Sequence, residues 1–319
     1  MRLSVIISTR NRADLLADTL KSLKDQALSQ TDFEIIVVDN GSTDSTPEIC
    51  DHYHTLFDNF SYFYDDRPGL HIGRAVGMQN ARGDVLVYTD DDIIASQDWL
   101  KNISKAFEDE DLALLGGRIL PKYEVEPPDW VENLWTKNTW GKMLYHYSLI
   151  DLGENDKQIP PYFVFGCNYS IRKAVIIRLG GFNPDALPDD LLRYRGDGET
   201  GLSEKIDGAK LKTLYKPDVC VWHRIPANRL TLEYIYKRAF NQGISDSYSQ
   251  IRRSKGLNIK DSVLNFIRRQ VSRKRYLGSG NAVLNRKLYE KYWEGFQFHQ
   301  RETRNDPRLL DWVLQENYL

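Results

Sequence analysis

A chain of 319 residues is long enough for one large domain, or for a domain with a smaller appendage. Its 41% hydrophobic and 28% charged residues are those of an ordinary globular protein, which excludes a collagen-like or wholly disordered chain. Overall net charge is −2, but the halves differ. From Arg224 onward there are 19 Lys+Arg against 9 Asp+Glu, leaving 24 against 36 for residues 1–223, an asymmetry that points to an anionic partner for the tail.

Apolar runs at Leu3–Ile7, Phe33–Val38, Phe60–Tyr64 and Val85–Tyr88 read as strands. They are apolar nearly throughout, as in a parallel sheet covered on both faces. Helix-like segments lie between them near Asp14–Leu23, Ser45–Phe57 and Ile72–Ala81. The alternation predicts a doubly wound α/β sheet. Ser42–Ser45 with Pro47 and Glu48 makes a plausible helix start. From Pro121 to about Pro161 the pattern turns irregular and aromatic, with Trp130, Trp135, Trp140, Tyr145 and Tyr147, and reads as an inserted surface. Strand-like runs follow at Tyr162–Phe165 and Asp218–Trp222. Beyond Ile225, Leu232, Ile235, Tyr236, Ala239, Phe240 and Gly243 recur at helical spacing.

Two boundary expectations concern location. Cys50, Cys167 and Cys220 show no metal-ligand spacing and cannot all pair, which fits a reducing compartment. No apolar run reaches the roughly 18 residues of a bilayer span, and no basic-then-apolar leader opens the chain. The expected location is cytoplasmic, with a peripheral position on the inner face of the membrane as the second reading.

In open α/β sheets ligands bind outside the carboxyl ends of the strands. Those ends read Ser8-Thr9-Arg10-Asn11-Arg12, Asp39-Asn40-Gly41-Ser42-Thr43-Asp44 and Thr89-Asp90-Asp91-Asp92. Three consecutive carboxylates after a buried strand repel one another unless a cation compensates. A divalent ion with oxygen ligands does so and also binds substrate phosphates. A solvated acidic turn, or a helix start stabilised by its dipole, is the duller reading of the same run. Asp39 can hydrogen-bond the N–H edge of a base, or cap the helix after it. Arg10, Arg12 and Arg74 are candidates for a pyrophosphate.

The segments Val5–Arg12, Ile36–Asp44 and Tyr88–Ile93 resemble, in order and spacing, the family 2 inverting glycosyltransferases. Gly180-Gly181-Phe182-Asn183, after Gly166-Cys167-Asn168-Tyr169-Ser170-Ile171-Arg172, looks like that family's acceptor-side segment. The resemblance covers roughly residues 1–225 and implies a GT-A fold, a Rossmann-like, mostly parallel sheet with a small second sheet. Residues 226–319 then form a basic helical extension, and the segment at about 121–161 an insertion on the acceptor side. The implied substrates are a nucleotide-diphosphate sugar, UDP-linked first, and a saccharide or lipid-linked acceptor hydroxyl. Thr9 and Asp39 would bind the nucleotide, Asp39 on the base. Asp90, Asp91 and Asp92 look like the DxD element that holds ribose and Mn2+ or Mg2+. Two alignments differing by one residue leave open which of the three touches the metal, and His223 can complete that site or touch the diphosphate.

Inverting transfer needs a general base for the acceptor hydroxyl. The family usually supplies the Asp of a Glu-Asp pair; this sequence departs from it with Gly196-Asp197-Gly198-Glu199-Thr200-Gly201-Leu202. Counting back from Leu202 gives Glu199, with Asp197 as competitor and helix capping as the dull role for either. Trp130, Trp135, Trp140 and Asn168 are the acceptor candidates, although core or interface packing of the tryptophans would look the same.

Other classes fit less well. A nucleotidyltransferase normally shows a Gly-rich loop after the first strand, and an NAD enzyme Gly-x-Gly-x-x-Gly there; Ser8–Arg12 has no glycine. A non-catalytic sugar-nucleotide-binding relative stays open because of the altered pair. No nucleic-acid-binding module is recognisable. The basic tail, with Arg252-Arg253-Ser254-Lys255, Arg268-Arg269 and Arg273-Lys274-Arg275, reads either as a face for anionic lipid or as a helical appendage packed on the catalytic domain or on a second subunit of a homodimer.

Overall fold

The computed structural model describes residues 2–257 and 282–318. In chain order its first half runs β1 (Leu3–Thr9), α1 (Ala13–Lys24), β2 (Phe33–Asp39), α2 (Thr46–His54), β3 (Phe60–Tyr64), α3 (Leu70–Asn80), β4 (Val85–Asp90) and β5 (Ile93–Ala95). These elements match the alternation expected from the sequence. The strands pair in parallel in the order β3-β2-β1-β4, with Thr9 level with Asp39 and Ser8 level with Asp90. Strand β2 is buried along its whole length, which is why it reads as an unbroken apolar run.

Next come α4 (Trp99–Ala106), β6 (Leu112–Tyr123), α5 (Asp129–Glu132), the short strands β7 (Thr136–Lys137), β8 (Lys142–Leu144), β9 (Leu149–Asp151) and β10 (Lys157–Gln158), then β11 (Tyr169–Arg172), α6 (Lys173–Arg178), α7 (Glu199–Gly208) and β12 (Lys212–Ile225). Strand β11 runs antiparallel to both β4 and β6, so it joins the parallel half to the β6-β9-β8-β7 meander. Strand β12 runs alongside β6 and pairs antiparallel with β5, carrying His223 to a position opposite Ile93, one residue past Asp92.

The expected strand at Tyr162–Phe165 is not one. Pro161–Phe163 form a 3-10 turn. Pro160 and Pro161 lack amide donors and fix φ, so the segment cannot enter a ladder until Tyr169. Helix α3 lies close against β1 because Gly73 and Gly77 face it. A Cβ at Gly77 would sit 2.3 Å from Ile6 Cγ2, and one at Gly73 would sit 2.6 Å from Ser8 Oγ.

The chain ends in α8 (Leu232–Arg253), α9 (Ala282–Asn305) and α10 (Pro307–Leu314). Ile235, Ala239, Leu284 and Leu288 join the main hydrophobic core, so these helices pack on the α/β unit. A second cluster of Tyr248, Ile251, Leu309, Val313 and Tyr318 is fastened by the Tyr248–Tyr318 hydroxyl pair at 2.6 Å. Arg252 donates to the carbonyls of Val313 and Gln315, and Arg253 pairs with Glu204. Arg252 thus ties α8 to the end of α10, while Arg253, its side chain 62% exposed, links α8 to α7 at the surface. Arg268-Arg269 and Arg273-Lys274-Arg275 lie outside the described residues. No described helix is long and apolar enough to cross a membrane.

Candidate active site

The aligned carboxyl ends of β1, β2 and β4 open into a cavity of about 320 Å³. Thr9, Arg10, Arg12, Arg74, Asp90, Asp91, Asp92, Glu199 and His223, all expected from the sequence, line it. Burying three carboxylates side by side requires compensation, and the structure supplies it in part with guanidinium groups. Arg12 pairs with Asp91 Oδ1 at 2.6 Å and with Asp92 Oδ2. Arg229 reaches the same Asp92 Oδ2 at 3.0 Å, and Arg74 stands 3.8 Å from Asp90 Oδ1.

The three aspartates differ in surroundings. Asp91 accepts from Thr9 Oγ1 at 2.7 Å, and burial pushes its carboxyl up to about 7 against the pull of Arg12. Burial also acts on Asp92, but His223, Arg12 and Arg229 outweigh it and hold its carboxyl well below the usual range. Asp90 is raised by burial and by Asp92, yet its side chain remains 34% exposed at the cavity.

Asp90, Asp92 and His223 bring one ligand atom each to within 4.8 Å of one another. Asp92 Oδ1 is buried without a hydrogen bond, although His223 Nε2 lies 3.2 Å away. His223 Nδ1 is 2.7 Å from the Tyr147 carbonyl, an arrangement that leaves Nε2 for the site. Two carboxylates and an imidazole around an orphaned oxygen form a donor set that fits a divalent ion such as Mn2+ or Mg2+. Asp91 is not one of the three; its oxygens face Thr9 and Arg12.

Asp39 is fully buried, with Oδ1 accepting from Ser42 N and Oδ2 from the Tyr62 hydroxyl, each at 2.8 Å. It does not cap α2. The N-cap of α2 is Ser45, which makes no side-chain cap bond; Asp44 before it accepts from Thr46 N at 3.1 Å, and its other oxygen takes Ala13 N at 3.0 Å at the start of α1.

Glu199 and Asp197 separate cleanly. Glu199 is the first residue of α7, half-buried, with Oε1 accepting from Gly166 N at 3.2 Å and Oε2 lying 3.3 Å from Arg74 Nη1. Arg74 is itself buried against the Phe182 ring, 4.6 Å from its centroid. Asp197 lines neither cavity. It accepts from Asn183 Nδ2 at 2.8 Å and from Ser249 Oγ at 2.6 Å, bridging to α8. Burial pushes its carboxyl up to about 6.

A second cavity, of about 760 Å³, adjoins the first. His146, Ser148, Glu199 and Arg238 line both. Its outer wall comes from α8 and α9, with Asp246, Tyr289, Tyr292, Trp293 and Phe296.

The acceptor candidates fall elsewhere. Trp130, Trp135 and Trp140 line neither cavity and pack against the main core, Trp140 edge-on to Phe163. Asn168 is buried and spent as a bridge, accepting from Trp99 Nε1 at 3.0 Å and donating to the Val219 carbonyl at 2.9 Å. The resemblance to an acceptor-side segment made it an acceptor candidate; its side chain joins β12 to α4. From the insertion only the Tyr145–Ser148 turn reaches the cavities. Sequence reasoning missed Arg229 and Arg238, which belong to no motif and meet the site only through the fold.

Comparison with known proteins gives the arrangement a lineage. The model for glycosyl transferase family 2 matches residues 4–180. Glycosyltransferase AglE of Haloferax volcanii is 31% identical over 117 residues, which cover 36% of this chain and 38% of that protein's length. The glucosyl-dolichyl phosphate glucuronosyltransferase of the same organism is 22% identical over 283 residues, covering 84% of this chain and 85% of its own. Among solved structures, the mannosyltransferase PcManGT from Pyrobaculum calidifontis, in complex with GDP-Man and Mn2+, superposes with a TM-score of 0.57 at 18% identity over 98% of this chain and 85% of that one. That likeness concerns the fold alone, which is GT-A as expected from the sequence. By the family match across more than half its length, the chain belongs to glycosyl transferase family 2.

Proposed function

We propose that this protein is an inverting, metal-dependent glycosyltransferase that moves a sugar from a nucleotide-diphosphate sugar to an acceptor hydroxyl, in the synthesis of a polysaccharide, glycolipid or other glycoconjugate. The observation that carries the reading is the position of Glu199. It lies where the carboxylate-and-arginine cavity meets the larger aromatic one. A base at that junction takes a proton from an acceptor hydroxyl entering from one side while the hydroxyl attacks a donor held on the other.

The chain's own groups divide the work. Asp90, Asp92 and His223 would hold Mn2+ or Mg2+, which supplies Lewis-acid neutralisation of the departing diphosphate when bound. Arg10 and Arg238 line the donor-side cavity and have no ion-pair partner among the described residues, so both are available to the diphosphate. Arg12 and Arg229 hold Asp92 Oδ2 and thereby aim Oδ1. Arg74 and the Gly166 amide fix the Glu199 carboxylate at the junction of the two cavities. Attack from the Glu199 side, opposite the leaving diphosphate, inverts the anomeric centre.

Solved structures of the same fold, one in complex with UDP-GlcNAc and one with GDP-Man and Mn2+, support a nucleotide-sugar donor. The test is a panel of UDP-, GDP- and other nucleotide sugars, scored for thermal stabilisation and for metal-dependent release of the nucleoside diphosphate. Release that appears with Mn2+ or Mg2+ and vanishes on chelation supports an enzyme. Stabilisation without any release would make the chain a binder.

A further inference from the structure

We infer that the second cavity is the acceptor subsite and that it takes an uncharged saccharide of more than one ring. This rests on the glycosyltransferase reading above. The cavity's volume, 760 Å³ against 320 Å³ on the donor side, exceeds what a single sugar ring needs. Its wall alternates aromatic and hydrogen-bonding side chains. Tyr289, Tyr292, Trp293 and Phe296 from α9 stand beside Gln242 and Asp246 from α8. Aromatic faces pack on the C–H faces of sugar rings while the polar neighbours meet hydroxyls; a polyprenyl tail would want an unbroken apolar wall.

The polar groups are poised for neutral partners. Asp246 already accepts from Tyr292 Oη and Gln242 Nε2, each at 2.7 Å, and each carboxylate oxygen keeps a second lone pair for a ligand hydroxyl. The Trp293 ring is one of the aromatic faces lining the cavity, and its indole N–H is buried with no hydrogen-bond partner. The charges of the wall are otherwise paired, Arg253 with Glu204 and Glu199 with Arg74. Arg238, the cation without an ion pair there, also lines the donor cavity and is claimed by the diphosphate. No spare cation remains in the outer part of the cavity, among the described residues, to hold a phosphate or carboxylate.

The test uses the full chain without donor. Methyl glycosides of glucose, mannose and N-acetylglucosamine, their di- and trisaccharides, and dodecyl phosphate are titrated by saturation-transfer NMR and tryptophan fluorescence. The expected result is that at least one neutral di- or trisaccharide binds tenfold more tightly than its monosaccharide. Trp293→Phe and Asp246→Asn should each weaken that binding at least fivefold. Stabilisation by nucleotide sugar with Mn2+, measured in the same variants, should stay unchanged and reports on folding and on the donor side separately. Binding of dodecyl phosphate alone, no saccharide binding, or equal affinity in both variants would overturn the assignment. Absent nucleotide-sugar stabilisation would sink the transferase reading and leave the saccharide titration to be scored by itself.

Discussion

Asp197 offers a prediction in which stability and chemistry are read from one substitution. The residue is 8% exposed, and its carboxyl is pushed up to about 6 from an ordinary 3.8, chiefly by burial. The sign follows from linkage. Below the ordinary value both folded and unfolded chains carry the proton, and Asp197 contributes nothing. As pH rises the unfolded chain ionises first, so the fold is progressively penalised up to the folded value. Above it the full penalty of about 3 kcal/mol applies, taking roughly 1.4 kcal/mol per pH unit. Asp197→Asn removes the charge and keeps the shape. Ser249 can turn its hydroxyl wholly to the Ser245 carbonyl, 3.1 Å away, and accept from the new amide. Urea unfolding of both proteins at pH 4 and pH 7.5 is the assay. The gap in stability between variant and parent should move in the variant's favour by about 2.4 kcal/mol between the two pH values, the remainder of the penalty being already present at pH 4, where the unfolded carboxyl is more than half ionised. Comparing the proteins at each pH cancels opposite contributions from groups such as Glu34 and Asp185, whose carboxyls are held low. A gap that does not change with pH would refute the argument, because Asp197 would then ionise alike in both states. Turnover should survive the change; its loss would return Asp197 to the catalytic role.

Three further outcomes follow from the same geometry. Arg229→Met frees Asp92 Oδ2 from one of its two guanidinium partners, and Mn2+ affinity measured by calorimetry should fall roughly 10- to 100-fold, as for other groups that orient a metal ligand. Gly243→Ala puts a Cβ 1.9 Å from the Tyr292 carbonyl and forces α8 and α9 apart, costing about 1–3 kcal/mol by thermal unfolding. Chelation should abolish diphosphate release, with Mn2+ restoring it; release that persists in EDTA would dismiss the Asp90–Asp92–His223 site.

The nucleotide side was legible because its residues sit at the ends of buried parallel strands, where local pattern and position coincide. Thr9, Asp90, Asp91 and Asp92 line the cavity as expected, and the spacing before Leu202 brought Glu199 to it. Asp39 was found at its strand end too, though fully buried under Tyr62. The far side was less legible, since it is assembled from segments distant in sequence. Trp130, Trp135 and Trp140 show the same composition whether they stack on sugar or on core, and here they pack on core. Tyr292, Trp293 and Asp246 acquire meaning only once α8 and α9 meet across their glycines. Arg229 and Arg238 carried no signal beyond being basic.

The central claim is that Glu199, at the junction of the two cavities, is the base. Glu199→Gln keeps the Gly166 contact while removing the proton acceptor. Metal-dependent diphosphate release by this variant, measured with the nucleotide sugar that best stabilises the parent, is expected to fall by roughly 10²- to 10⁴-fold with nucleotide-sugar affinity unchanged. Release at the parental rate would contradict the account.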